Sequence, residues 1–559
     1  MVFPLALTKI SNSALLIIFS FIAIAFINFL AFYPSFSHAA RADQAILLIE
    51  TADIDHFSDL VSYTYSYPRH RVLNSGDSFL FRPILYFLFA LEKWFFGFNF
   101  TYWQVTGFLL HLFVVWQLLK VLLLIRASFV AGFFVLGFSV SYIAQEMVIW
   151  HHISGYLLFL IFLLEALYFF IQYLREDQKS FWRLMMTAGY LTLACFTYEL
   201  GVICAFFFAS ALLFCKKGPV TSRFPWKEMA VLFAPIVIYA CVNFLDYVAA
   251  NKTMNMGGSL EKHPHFTNFV LSSLLVLALT LFGGSLPYFI SILPGIRLVL
   301  LPLRWEDVFM NKEMGGLGRS LNTVLVSLIM LALGWGIIQW IKNRIRNGDA
   351  PRMDDDPQKK STLMIVFITT SILLSYVFVI AARSSLHWRD AYFSSSLYNF
   401  YITGLFLTIS LYCLFSLYFD YLAQDKEFAV LVATIFCLSS LLNATKVYQM
   451  NIAMKNAQEP WGLYIKRLER FINAHKHEPG FSYYLLRRPD GGTTDFTIGS
   501  PQEGHWREGD ASDLFFRKYV NADNPRYYLV YFDKTGIFSF KNKEEADRFL
   551  DSSSGYELR

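Results

Sequence analysis

The sequence predicts an all-α polytopic membrane protein of about 11–13 transmembrane helices, followed by a small α+β extracytoplasmic C-terminal domain. Three observations carry this reading. Apolar runs long enough to span a bilayer recur over the first 445 residues. Charged residues make up only 16% of the chain, against roughly 25% in soluble proteins. The basic residues collect in alternate loops, as the positive-inside rule requires of a multi-pass chain.

The apolar runs lie near 12–33, 102–124, 127–145, 154–173, 182–198, 200–215, 228–248, 268–283, 286–302, 320–341, 361–382, 397–418 and 426–445. The first is longer than the roughly 7–15 residues of a signal-peptide core, so it reads as a retained anchor although Ser37-His38-Ala39 resembles a cleavage site. Lys120 and Arg126, then Arg175, Lys179 and Arg183, then Lys216, Lys217, Arg223 and Lys227, and finally the cluster from Lys342 to Lys360 all fall on one side when spans are counted. That side is cytoplasmic. The alternate loops, near 34–101, 146–153, 249–267, 303–319 and 383–396, then face outward, and so does the C-terminal segment.

Two outward segments are large. Residues 34–101 form a long loop whose second half, Ile84 to Phe98, is apolar and aromatic around Glu92 and Lys93, the pattern of a helix lying in the membrane interface. Residues 446–559 mix charges of both signs with Gly/Pro punctuation and read as a soluble α+β domain, separate from a transmembrane domain over 1–445. Helices are expected near 460–475 and 543–551. Tyr527–Phe532 and Gly536–Phe540 read as a hairpin.

Composition excludes some chemistry. The net charge of +5 carries no long basic run, so nucleic acid is not a partner. All six cysteines sit in or beside apolar runs without metal-ligand spacing and read as small core hydrophobes. No phosphate-binding Gly loop, His-Glu-x-x-His or Gly-x-Ser-x-Gly motif is present. Ionisable candidates therefore concentrate in the outward loops. The first holds Asp43, Asp53, Asp55, His56, Asp59, Arg69, His70, Arg71, Asp77 and Arg82, and the one at 383–396 holds Arg389. Glu146, Trp150, His151 and His152 fall in the loop after the third run, and Glu199 between two short runs. Each has a plain structural alternative: carboxylates cap helices, Pro83 after Arg82 starts one, and aromatic residues form interface belts. Glu165, inside a run, is expected to be buried and paired.

The order Arg82-Pro83, Gly97, His111, Glu146 before Trp150, and Tyr198-Glu199 resembles the GT-C class of membrane glycosyltransferases, closest to users of polyprenyl-phosphate sugars such as protein O-mannosyltransferases and bacterial relatives. The resemblance covers roughly residues 12–215, and Tyr198 stands where the family has Lys. It implies an inverting glycosyltransferase of the bacterial inner membrane with a cytoplasmic N-terminus and a periplasmic C-terminal domain. The enzyme would move a hexose or pentose from a polyprenyl-phosphate donor to a glycan, glycolipid (lipopolysaccharide) or protein acceptor. Asp43, Asp55 or Glu146 would act as general base. Arg69, Arg71, Arg82 and Arg389 would hold the donor phosphate, since Arg forks suit phosphate oxygens. His111, Trp150 and Glu199 would line the substrate site. No metal site is assigned. A divalent cation, Mg or Mn, is left open as a cofactor by the Glu146/His151/His152 donors, whose spacing matches no strong ligand motif. The alternative class is a membrane transporter or lipid flippase of cell-envelope precursors, which favours mid-membrane charges and an internal repeat. Neither pattern stands out here.

Overall fold

The structure, a computed structural model, describes residues 12–38, 56–70, 82–97, 99–175, 180–214, 226–249, 357–383 and 397–422, with Ser273, scattered residues at 44–54 and 437–455, and three short strands. Among these residues six helices are long and apolar enough to cross a membrane: Ile17–Ser37, Phe100–Ile125, His151–Arg175, Trp226–Leu245, Ser361–Ile380 and Phe400–Leu417. The chain is thus a mostly helical, multi-pass membrane protein. Large apolar side chains such as Phe19, Phe26, Trp182 and Phe244 stay exposed on the bundle surface, which lipid rather than water can solvate.

Helix α1 (Asn12–Phe32) stops at Tyr33-Pro34, where a 3-10 turn, Tyr33–Ser37, begins. The long segment between the first two spans contains two helices, α2 (Phe57–His70) and α3 (Pro83–Phe96), packed on each other. Asp59 accepts the His56 backbone N–H at 2.7 Å, so this carboxylate caps α2. Pro83 presets the first turn of α3, and Gly97, at φ +56°, ends it in a conformation that side chains rarely adopt. At about 1.5 Å per residue α3 is ~21 Å long, too short to span a ~30 Å hydrocarbon core.

Helix α4 (Phe100–Ile125) follows. The run at 127–145, expected to be one span, is broken: two helices, α5 (Val130–Ser139) and α6 (Tyr142–Ile149), meet at a 61° bend and are long and apolar enough for a span only together. At the break the Ser139 carbonyl faces His111 Nε2 at 3.1 Å, so a side chain from another helix, α4, takes an oxygen that the helix ladder would use. Glu146 accordingly lies in α6 and not in a loop. Then come the 3-10 turn His151–Ile153, α7 (Ser154–Arg175), α8 (Phe181–Thr197), α9 (Leu200–Phe214), α10 (Trp226–Ala249), α11 (Pro357–Arg383) and α12 (Leu397–Leu422).

Polar contacts fix the two ends of this bundle. At one, Arg175 donates to the carbonyls of Leu124 and Ile125 and to Ser361 Oγ, Gln358 donates to the Ile125 carbonyl, and Arg126 donates to the Ser416 carbonyl. Arg175 thus meets the C-terminal carbonyls of α4, where charge and dipole agree. Between the ends, Lys120 pairs with Glu165 at 3.0 Å, so the intramembrane carboxylate is partnered. The opposite end holds the start of α4, the 3-10 turn at His151, the start of α7, the α8–α9 corner and the start of α3.

Asn451, fully buried, donates to the Ala31 carbonyl, accepts from Gln145 and presents its own carbonyl to His38. Strand β1 (Tyr483–Leu485) lies parallel to β2 (Tyr528–Phe532), and β2 pairs antiparallel with β3 (Ile537–Phe540). The helices expected at 460–475 and 543–551, and the runs at 268–283, 286–302 and 320–341 apart from Ser273, lie outside the described residues.

Candidate functional site

At the α3 end of the bundle, Arg82 precedes the first turn of α3 and reaches the corner between α8 and α9. Its Nε donates to Glu199 Oε2 at 3.0 Å, and Nη2 donates to Oε1 and Oε2 at 2.8 and 2.7 Å. The two side chains are 15% and 23% exposed, so the pair is largely shielded from solvent. The guanidinium carbon also lies 4.3 Å from the centre of the Tyr198 ring, which stacks on Tyr156 at 4.0 Å with an 11° interplanar angle. Burial alone would lower the Arg82 pKa; its neighbours Tyr198 and Glu199 more than offset this, and it titrates above its usual range.

Glycines let these pieces approach. A Cβ on Gly155 would sit 2.5 Å from Leu85 Cδ1 and 3.0 Å from Tyr198 Cε2, so the start of α7 must be bare where α3 and Tyr198 cross it. A Cβ on Gly201 would meet the backbone of Ala194 and Cys195 at 2.5–2.7 Å, so Gly201 permits the tight α8–α9 corner that projects Glu199.

A second polar contact lies further along α3. Glu92 Oε2 and His151 Nε2 are 2.7 Å apart, with the side chains 3% and 0% exposed. Phe89, Phe100 and Trp103 ring the imidazole. Among the described residues, Glu92 Oε1 and His151 Nδ1 are buried without a hydrogen-bond partner. Burial, the largest influence, raises the Glu92 carboxyl above the usual carboxylate range, while His151 pulls it the other way.

Of the residues singled out in the sequence, Arg82 and Glu199 come together directly. His111 is fully buried and engaged at both ring nitrogens: Nε2 faces Asn28 Oδ1 and the Ser139 carbonyl, each at 3.1 Å, and Nδ1 faces the Tyr401 hydroxyl at 2.9 Å. The network closes when Nε2 carries the proton and Nδ1 accepts from Tyr401. Glu146 is half-buried in α6, and Trp150 packs on His152 at 5.3 Å. Arg69 falls within α2, and nothing is described of its side chain; Asp43, Asp55, Arg71 and Arg389 lie outside the described residues. Among the described residues no three His, Cys, Asp or Glu side chains converge as metal ligands, and His151 turns to Glu92.

Sequence reading missed the Glu92–His151 pair. Its only signal was a charge pair embedded in an apolar interfacial stretch, which gives no hint of a partner 59 residues away. No protein-family model matches the chain, and no curated protein matches it significantly.

Proposed function

We propose that the protein is an inverting glycosyltransferase that moves a sugar from a polyprenyl-phosphate donor to an extracytoplasmic acceptor, with Arg82 binding the donor phosphate. The observation that carries this reading is the Arg82–Glu199 pair. It holds a cation rigidly at one end of a membrane bundle, at the start of a helix too short to span, where a lipid phosphate would meet it. Arg82 Nη1 takes no part in the pair, and a guanidinium fixed by one carboxylate needs little reorganisation to meet developing phosphate charge.

In the proposed step the acceptor hydroxyl oxygen forms a bond to the anomeric carbon, and the bond from that carbon to the phosphate oxygen breaks. The hydroxyl proton passes to a carboxylate, Asp43, Asp55 or Glu146, and polyprenyl phosphate leaves with the bonding electrons. The site would face the bacterial periplasm, because the opposite end carries Arg126, Arg175 and Arg183. Residues 446–559, as an α+β domain there, would meet the acceptor.

The test is transfer of labelled sugar from a panel of polyprenyl-phosphate donors by the purified protein, with extracted membranes as acceptor. Loss of transfer in Arg82→Ala, with binding of polyprenyl phosphate weakened in parallel, supports the reading. Absence of transfer with every donor would move transport ahead.

A further inference from the structure

We propose that the buried Glu92–His151 pair is a positioning device: it sets the roll of helix α3 and so holds Arg82 in its contact with Glu199. The proposal rests on the reading of Arg82 as a phosphate-binding residue.

The argument begins with the surface of α3. Leu85, Tyr86, Phe89 and Ala90 are buried against the bundle, but Phe87, Trp94 and Phe95 on the other side are exposed and equally apolar. Apolar burial has no direction. In a membrane interface either face of this helix would be content against protein or lipid, so the hydrophobic effect alone does not choose its roll. Polar contacts must choose it. Arg82 to Glu199 is the first such pin and Glu92 to His151 the second, ten residues and about 15 Å along the same helix. One pin leaves a rod free to pivot; two fix its rotation and its slide.

The pair is also incompletely satisfied. Among the described residues, Glu92 Oε1 and His151 Nδ1 are buried without a hydrogen-bond partner, so their desolvation goes uncompensated there. A contact present only for stability would be better served by two packed apolar side chains. Retaining a half-satisfied polar pair makes sense where direction matters more than free energy. His151 itself is immobilised by the aromatic collar of Phe89, Phe100 and Trp103, and Gly107 admits it, since a Cβ there would lie 3.1 Å from Nδ1. The receiving end of the pin is therefore rigid.

The experiment uses the full chain in lipid nanodiscs. Binding of undecaprenyl phosphate, with inorganic phosphate as control, is measured for wild type, Glu92→Leu and Glu92→Gln, each with and without Arg82→Ala. In parallel, spin labels at the exposed positions Phe95 and Leu193 report the distance between α3 and α8 on a cysteine-free background that retains wild-type melting. The expected result is that Glu92→Leu weakens binding about tenfold and broadens the label distance, while Glu92→Gln, which still accepts from His151, restores both. With Arg82 already removed, Glu92→Leu should weaken binding no further. An equal loss in the Arg82→Ala background, or an unchanged label distance in Glu92→Leu, overturns the proposal. If wild type binds no undecaprenyl phosphate, the phosphate reading of Arg82 falls, and the label distance alone decides whether Glu92 seats α3.

Discussion

Arg82 and Glu199 are 117 residues apart in the chain yet share a two-pronged ion pair, with Tyr198 beneath the guanidinium. The pair joins the helix that closes the first long loop to the corner between two later helices. Each partner comes from a place where the backbone turns: Arg82 precedes a helix started by Pro83, and Glu199 sits between Thr197 and Leu200, the ends of α8 and α9.

The first prediction concerns the fork. Arg82→Lys keeps the charge but loses the planar donors and the flat contact with Tyr198, so it should behave more like Arg82→Ala than like wild type. A double-mutant cycle of Arg82→Ala and Glu199→Ala, read by thermal unfolding in detergent, should give a coupling of about 1–3 kcal/mol. A coupling near zero would mean the pair is a solvated contact of no consequence.

The glycines make a graded series. Gly201→Ala sets a methyl against backbone that no rotamer change relieves, and should be the most damaging. Gly155→Ala meets the end of the Leu85 side chain and should cost about 1–3 kcal/mol by overpacking. Gly189→Ala, with nothing within 4 Å, should be neutral or stabilising by up to ~1 kcal/mol. Melting temperatures in that order, with Gly201→Ala lowest, check the α3–α7 and α8–α9 crossings; equal values for all three contradict them.

How far the sequence carried this picture depended on whether the signal was local. The apolar character of the six long spans, a separate helix starting at Pro83 and a partner for Glu165 follow from composition and the solvent those residues must meet, so they were legible. The break after Ser139 was not, because its cause is an imidazole from another helix. Nor was the Glu92–His151 contact, since a charge embedded in an apolar stretch announces a need for a partner without naming it. Arg82 and Glu199 were both picked out as residues, but their direct contact depends on how α3 lies across α8, which periodicity does not state.

His111 supplies a third prediction. Its ring ties α1, α4, α5 and α12 together through Asn28, Ser139 and Tyr401. Removing it leaves buried donors and acceptors unpaired, so His111→Leu should lower stability by about 1–3 kcal/mol, and Tyr401→Phe by less, since it deletes one partner only. Should His111→Leu melt as wild type while abolishing donor binding, the imidazole would act on substrate and not on packing.

The last prediction is a pH dependence whose sign the burial of Glu92 sets. Its carboxyl titrates above the usual carboxylate range in the folded protein and near that range once unfolded. The folded state therefore holds this proton more tightly. The stabilisation it brings is complete below the unfolded value and is lost as pH rises through the raised folded value. Glu92→Gln removes this titration and keeps an acceptor for His151. Melting of wild type relative to Glu92→Gln should then decline as pH rises from acid through neutral. The opposite slope, with wild type gaining on the variant as pH rises, would mean that the pull of His151 outweighs burial and that the pair is held as ions.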